Sequence, residues 1–191
     1  IVKTSLFENN TAVNNAGAIG VTGVGEVSIS DSKFINNSAN RAGAIGADNG
    51  KISIENSVFT SNNAYEAGAI GTTGQSLVTI INSNFTQNKA SRAGVIGNEK
   101  GKSVIKNSNF ISNSADYVGV LYLGGENSEV DRCKFFHNVA PEISAILVDG
   151  INATVHNSNF DNNTNGKTLV IGGKSRNTTL ENNTGLDDIE Y

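Results

Sequence analysis

The chain has 191 residues, of which 37% are hydrophobic and 6% aromatic, and its net charge of −4 is spread without runs of one sign. This charge excludes a basic surface for nucleic acid or anionic lipid, and no apolar stretch is long enough for direct membrane insertion. A single cysteine excludes an internal disulfide. The 21 glycines and one proline favour short strands and tight turns over long helices.

A strand is predicted at the start of each repeating unit. Its most regular position is a β-branched residue, which recurs as Val2, Ile29, Ile54, Ile80, Ile105, Val130 and Val155. Apolar or small residues two positions earlier give a period of two, typical of a strand with one buried face. A turn position follows, and then a small residue that is usually Ser and is Cys133 in the sixth unit. We interpret Cys133 as a small buried substitute for Ser, and a reactive thiol is the alternative.

A Phe-x-x-Asn tetrapeptide comes next in each unit and recurs about every 25 residues, the length scale of solenoid repeats. Its phenylalanines are Phe7, Phe34, Phe59, Phe85, Phe110, Phe135 and Phe160. Its asparagines are Asn10, Asn37, Asn62, Asn88, Asn113, Asn138 and Asn163, and a degenerate eighth copy reads Leu180 and Asn183. We number the coils, or rungs, by these phenylalanines, so that rung 1 contains Phe7 and rung 7 contains Phe160.

A second apolar block closes each unit. It reads Ala-Gly-Ala-Ile-Gly at 16–20, 42–46 and 67–71, and Ala-Gly-Val-Ile-Gly at 93–97. Together with the earlier segments it indicates three short strands per rung and no segment long enough for a helix. The sequence therefore predicts an all-β, right-handed parallel β-helix of seven to eight rungs. We expect residues 1–191 to be a single domain of this kind, cut from a longer surface protein.

Stacked rungs place identical side chains above one another, which predicts two internal ladders. The phenylalanine ladder comprises Phe34, Phe59, Phe85, Phe110, Phe135 and Phe160, and the asparagine ladder comprises Asn37, Asn62, Asn88, Asn113, Asn138 and Asn163. A buried amide is costly unless its donors and acceptors are satisfied, and an Asn above and below meets that demand. Asn98 lies outside this ladder, and we expect it to be exposed.

Rungs 5 and 6 break the regularity of the array. Larger or charged residues replace the small ones there, and in a repeat scaffold such deviations mark a binding face or a cap. The candidate binding residues are Tyr117, Tyr122, Arg132, Phe136 and His137.

The Ala-Gly-Ala-Ile-Gly block suggests a second candidate surface. If its Ile points inward, the neighbouring Ala points outward and leaves a smooth Ala/Gly strip along the first four rungs. Such a strip either packs closely against a neighbouring turn or docks a partner.

Signs of catalysis or metal binding are few. His137 stands in a polar column, and His156 shares an exposed column with Lys106 and Asp131 that we interpret as surface ion pairs. No group of carboxylates is spaced to hold calcium, and no nucleophile has a base at motif spacing. We therefore expect no metal, no cofactor and no enzyme activity.

The ordered pair of Phe-x-x-Asn and the Ala-Gly-Ala-Ile block resembles the repeats of chlamydial polymorphic membrane proteins. It also resembles the repeats of Asn-rich, adhesin-like surface proteins of methanogenic archaea, which the high Asn content favours. The likeness covers about residues 2–183, although Ala stands where the family usually has the first of two glycines. The resemblance implies a secreted or surface-anchored, extracellular protein that adheres to a protein or glycan of a host or neighbouring cell.

Two other functions stay open. A pectate-lyase-like, carbohydrate-active β-helix would need acidic and basic residues from adjacent rungs on one wall, for which Asp131, Arg132, His137 and Asp161 are the candidates. A purely structural stalk would carry its binding domains elsewhere in a longer chain.

Overall fold

The computed structural model describes residues 1–186 and 188–191, and it consists of parallel strands stacked in coils. Rungs 2 to 5 each contribute one strand to each of four sheets, which we call sheets 1 to 4 in chain order, and rungs 1, 6 and 7 contribute strands to sheets 1, 2 and 4. The expectation of three strands per rung was therefore too low by one in rungs 2 to 5. The extra strand arises because two residues after the ladder asparagine, such as Ser38–Ala39, also pair between rungs.

Sheets 1 and 2 hold the first two predicted segments. The strands of sheet 1 are Val2–Lys3, Glu26–Ser30, Lys51–Glu55, Leu77–Ile81, Ser103–Lys106, Glu129–Asp131, Thr154–His156 and Thr179–Glu181. Those of sheet 2 are Leu6–Glu8, Lys33–Ile35, Val58–Thr60, Asn84–Thr86, Asn109–Ile111, Lys134–Phe136 and Asn159–Asp161.

Sheets 3 and 4 complete each coil. The strands of sheet 3 are Ser38–Ala39, Asn63–Ala64, Lys89–Ala90 and Ser114–Ala115. Those of sheet 4 are Ile19–Thr22, Ile45–Asp48, Ile70–Thr73, Ile96–Asn98, Leu121–Leu123, Ile143–Val148, Lys167–Ile171 and Ile189–Glu190.

Like residues pair directly between rungs, as the repeat predicts. Phe85, for example, pairs with Phe59 on one side and Phe110 on the other. From Phe7 to Phe160 the rings are stacked nearly parallel, with centroids 4.6 to 5.1 Å apart. This spacing matches the distance between neighbouring strands, so one ring per rung fills a continuous dry core.

Two corners of each rung use the left-handed backbone conformation. The corner between sheets 1 and 2 has Asn56 at φ 50° and Asn82 at φ 51°, which fits the tolerance of Asn for this region. Arg132 and His137 occupy the same corners of rung 6, at φ 51° and 55°. Both residues therefore stand at turns that shorter polar residues fill in the other rungs.

The asparagine ladder satisfies every side-chain hydrogen-bonding group of Asn88. Its Nδ2 donates to the Phe59 carbonyl oxygen and to Asn113 Oδ1, at 3.0 and 3.1 Å. Its Oδ1 accepts from the backbone N–H and from Nδ2 of Asn62, at 3.0 and 2.9 Å. Four bonds per buried amide explain how a fully buried Asn is tolerated at this position.

Asn98 and Cys133 lie outside the two ladders, and the structure tests what was expected of each. The expectation that Asn98 is exposed is wrong. Asn98 is buried, its Nδ2 donates to Ser103 Oγ, and its Oδ1 accepts from the backbone N–H of Gly101. Cys133 is 1% exposed, and its backbone N–H donates to Ser158 Oγ within the serine column. Burial raises the pKa of the Cys133 thiol to about 12, so it stays protonated and agrees with the interpretation as a small core residue.

The first glycine of the Ala-Gly-Ala-Ile-Gly block is required for stacking. A Cβ on Gly94 would overlap the carbonyl oxygen of Gly119 in the next rung, and Gly68 has the same relation to Gly94. In rung 6 this position is Ser144, and the pairing register of sheet 4 shifts nearby, between Ile143 and Ile146. The close approach of successive coils therefore depends on a side chain being absent here.

The orientation of the Ala/Gly strip differs from the expectation. Ala44 and Ala69, the alanines next to the inward Ile residues, pack into the interior core. The residue that faces outward is the last glycine of the block, such as Gly46 or Gly71. A bend before the strand turns both members of the Ala-Ile pair inward, so the alternation begins one residue later than predicted.

Candidate ligand-binding groove

The outer face of sheet 4 changes abruptly between rungs 4 and 5. One column of paired residues runs along it and reads Gly20, Gly46, Gly71, Gly97, Tyr122, Leu147 and Val170. The outer face at this column is thus bare backbone in rungs 1 to 4, and bulky side chains cover the backbone from rung 5 onward.

A groove lies at this step and encloses about 370 Å³. Its floor includes Gly71 and Gly97, and Tyr117 and Tyr122 stand in its wall. The lining continues to Val170, so the groove extends over five rungs, or about 19 Å at the usual strand spacing. This volume is within the usual range for a small-molecule site.

A small apolar cluster outside the main core supports Tyr122. It contains Val118, Ile143 and Leu147, against which Tyr122 and Val170 pack. Val118 pairs with Ala93 of rung 4, so a larger residue replaces a smaller one in this neighbouring column as well. The tyrosine ring is therefore held in place by packing before any ligand arrives.

Each carboxylate at the groove has a cation beside it. Arg92 and Glu99 both line the groove, and their side chains meet at 3.1 Å. Glu66 and Asp149 also line the groove, and their cations stand just outside its lining, with Arg41 at 3.7 Å from Glu66 and Lys174 at 3.4 Å from Asp149. Because each of the three lining carboxylates is paired with a cation, the groove offers donors and acceptors without favouring an ion of either sign.

Tyr122 also has a polar contact in the groove. Its hydroxyl is 3.5 Å from Asp149 Oδ2, to which it donates. Burial raises the pKa of Tyr122, and the negative charges of Asp149 and Glu99 raise it further. The phenol therefore remains a neutral donor well above physiological pH.

The structure brings together two of the five candidate binding residues. Tyr117 and Tyr122 both line the groove. Arg132 lies at the corner between sheets 1 and 2, Phe136 ends a strand of sheet 2, and His137 lies at the next corner. The five residues thus do not form one continuous site, because the coil turns between sheets 1, 2 and 4.

Sheet 1 carries a cluster of charged residues that sequence reasoning only partly anticipated. Asp131, expected in an exposed column, is 3% exposed, and its carboxylate contacts Arg132 Nη2 at 2.7 Å and Asn157 Nδ2 at 2.9 Å. Ligand atoms of Glu129, Asp131 and His156 lie within 4.8 Å of one another, a spacing compatible with a metal ion.

Positively charged side chains of the protein already pair with the carboxylates of this cluster. Lys106 Nζ is 2.9 Å from Glu129 Oε1, and Arg132 neutralises Asp131. The hydrogen bond from Lys106 is the main reason that the pKa of Glu129 is lowered, and His156 adds to it. We therefore describe the cluster as an ion-pair network. Glu129 was missed, although it lies two residues before Asp131 on the same strand and this period of two places both residues on one face.

The four residues proposed for a lyase-like wall divide into two pairs. Asp131 and Arg132 form the ion pair on sheet 1. The backbone N–H of His137 donates to the backbone carbonyl oxygen of Asp161 at 3.1 Å, at the corner that follows sheet 2. Each pair is local to one corner of the coil.

Sequence reasoning also missed most of the groove. Gly97 entered only as part of the Ala/Gly strip, and Glu99, Leu147 and Asp149 were not singled out, because the outward column does not keep one residue type beyond rung 4. The available signal was the change from Gly to Tyr, Leu and Val at one register position, which a column-by-column alignment displays.

Comparison with known proteins supports the architecture. A protein-family model described as a right-handed β-helix region matches residues 17–185. Neither the curated proteins nor the solved structures gave a match. Across residues 1–186 and 188–191, no helix has the length and hydropathy of a membrane span. Because the match covers most of the chain and the strands stack in parallel coils, the chain belongs to the right-handed β-helix family.

Proposed function

We propose that this chain is part of an extracellular, adhesin-like cell-surface protein that binds its partner without catalysis, through the groove on sheet 4. The observation that carries this proposal is the step from Gly97 to Tyr122, which opens a groove with an aromatic wall on the side of a rigid rod. The surface location rests on the resemblance of the repeat to adhesin-like proteins.

The groove chemistry favours binding over reaction. A carboxylate that acts as a general acid or base must be within hydrogen-bond reach of the proton that it transfers. Here an oxygen of Glu66, of Glu99 and of Asp149 is already engaged by a cation, at 3.7, 3.1 and 3.4 Å respectively. Such groups suit the recognition of a partner.

Adhesion assays with matched tyrosine variants test this proposal. Beads coated with the chain are incubated with a panel of bacterial, archaeal and animal cells, and attached cells are counted. Tyr117→Ala is expected to reduce attachment at least fivefold. Tyr65→Ala, which removes a similarly exposed tyrosine outside the groove, leaves it unchanged. Equal attachment for both variants and the unmodified chain would favour the structural stalk.

The ion-pair network on sheet 1 favours a second candidate, a carbohydrate-active protein of the pectate-lyase type. It brings Asp131, Arg132 and His156 together on an outer face of the rod. Incubation with polygalacturonate and calcium, followed by detection of unsaturated sugars, tests this alternative. Product that disappears in Asp131→Asn would replace the adhesin proposal with an enzyme.

A further inference from the structure

Folding does not explain why the groove floor is bare at Gly97. A Cβ at this position would lie 3.4 Å from Ala67 Cβ, an ordinary van der Waals contact. The same column accepts Tyr122 and Leu147 in the next two rungs. Packing therefore does not demand a glycine at Gly97, and the absent side chain leaves space for a ligand above the floor.

The charge balance limits what that occupant can be. Arg92 and Glu99 are 49% and 42% exposed, so their ion pair lies in water and exchanges partners at little cost. A polyanion would meet three lining carboxylates and one lining cation, and a polycation would have to displace the cations that already pair with those carboxylates. An uncharged ligand with many donors and acceptors avoids both costs, and charged groups strengthen its hydrogen bonds.

The tyrosines add a requirement for apolar surface. The Tyr122 ring is fixed on Val118 and Leu147, and its hydroxyl is directed to Asp149. An aromatic ring with a polar edge suits a ligand that has an apolar face and hydroxyl groups around its rim. A sugar ring has this form, because its C–H bonds make the faces and its hydroxyls project from the edge.

An extended peptide fits the groove less well. Peptides that add to a sheet need a free strand edge for main-chain hydrogen bonds. The strand Ile96–Asn98 is paired on both sides, with Ile70–Thr73 and Leu121–Leu123. The floor therefore offers a flat face, which suits a flat ring better than a strand.

We propose that this groove binds a short uncharged oligosaccharide, with one sugar ring on the Gly97 floor against Tyr122. This inference rests on the proposed function and specifies the partner of the same site. Arg92, Glu99 and Asp149 would exchange their present partners for sugar hydroxyls.

Titration calorimetry on the intact chain tests the proposal. The probes are uncharged tetrasaccharides of glucose, galactose, mannose and N-acetylglucosamine, with tetragalacturonate as the charged comparator of equal length. We expect at least one uncharged probe to bind at least about tenfold more tightly than tetragalacturonate. Tyr122→Phe should weaken that binding by about three- to tenfold, the loss of one hydrogen bond.

A groove-filling variant provides the decisive control. Gly97→Leu places in rung 4 the side chain that Leu147 supplies in rung 6, and it should abolish binding without lowering the melting temperature. Gly20→Leu makes the same change in rung 1, where a Cβ has no neighbour within 4 Å and which lies outside the groove. It should bind like the unmodified chain.

Three results would overturn the sugar assignment. They are tighter binding of tetragalacturonate, no binding of any uncharged probe, and unchanged binding in Gly97→Leu. Cell attachment separates this inference from the proposed function. Loss of attachment in Gly97→Leu without sugar binding by the unmodified chain would keep the adhesin and indicate a protein partner.

Discussion

Rungs 2 to 4 and rungs 5 to 7 share the same interior and differ on the outside of sheet 4. The phenylalanine and asparagine ladders run through both regions without interruption. The outer column changes from Gly46, Gly71 and Gly97 to Tyr122 and larger neighbours. Inward positions pack against two neighbouring rungs, whereas an added Cβ at the outward Gly97 would make only an ordinary van der Waals contact, so the rod can acquire a groove at this step without loss of its core.

The largest expected effect compares two glycines of rung 4. Gly94→Ala should destabilise the chain by about 3 kcal/mol or more, because its Cβ would overlap the Gly119 carbonyl oxygen and separate the coils. Gly97→Ala should change stability by less than about 1 kcal/mol, because its nearest contact is 3.4 Å. Thermal unfolding measures both, and equal losses would contradict the division into inner and outer positions.

The asparagine ladder allows an adjacent-residue test. Asn62→Ala should cost about 2 to 3 kcal/mol, because the Phe34 carbonyl oxygen and the Asn37 amide lose buried partners. Asn63→Ala, at an exposed neighbouring position, should cost far less. Denaturant titration of the two variants would refute the ladder if their midpoints coincided.

A gain in stability is expected at Thr72. Among the described residues, Thr72 Oγ1 is the buried side-chain oxygen without a hydrogen-bond partner. Thr72→Val keeps the β-branched shape and removes the unpaired hydroxyl, which should stabilise the fold by about 1 kcal/mol. Thr73→Val is the matched change, and it removes a hydroxyl that accepts from Arg41 and donates to Asp48. A lower melting temperature for Thr72→Val would contradict this expectation.

The smallest effect concerns pH and the network on sheet 1. The lowered pKa of Glu129 means that its pair with Lys106 stabilises the fold above the unfolded value of 4.5. This contribution is lost as the pH falls through the lower folded value. Glu129→Gln should therefore be less stable than the unmodified chain at about pH 6, by less than about 1 kcal/mol, and this difference should shrink as the pH falls below 4.5 and through the lower folded value. A difference that persists in acid would exclude the ion pair as its cause.

The sequence predicts the stacked interior well, because each ladder residue repeats at a fixed register. Phe59 over Phe85 and Asn62 over Asn88 follow directly from the spacing. The two-residue strands of sheet 3 were missed because a strand of that length has no alternation to detect. Asn98 was misjudged because its partners, Ser103 and Gly101, are local and leave no periodic signal.

The sequence predicted two of the groove residues and also three candidates that lie on other faces. Tyr117 and Tyr122 drew attention as departures from small residues, but so did Phe136 and His137, which face elsewhere. Deciding which departures share a face requires the number of sheets per rung, and the predicted three strands did not include sheet 3. Columns of one residue type reveal the core, and a change of residue type within a column identifies the outer surface.

The asparagine amides all point the same way. Each Nδ2 donates to the Oδ1 of the following rung, from Asn10 through to Asn163. Their dipoles consequently add along the rod, as peptide dipoles do in an α-helix, and give it an electrical polarity besides its chain direction. Reversing a single amide would set donor against donor on one side and acceptor against acceptor on the other, so the orientation of one member is enforced by all the others.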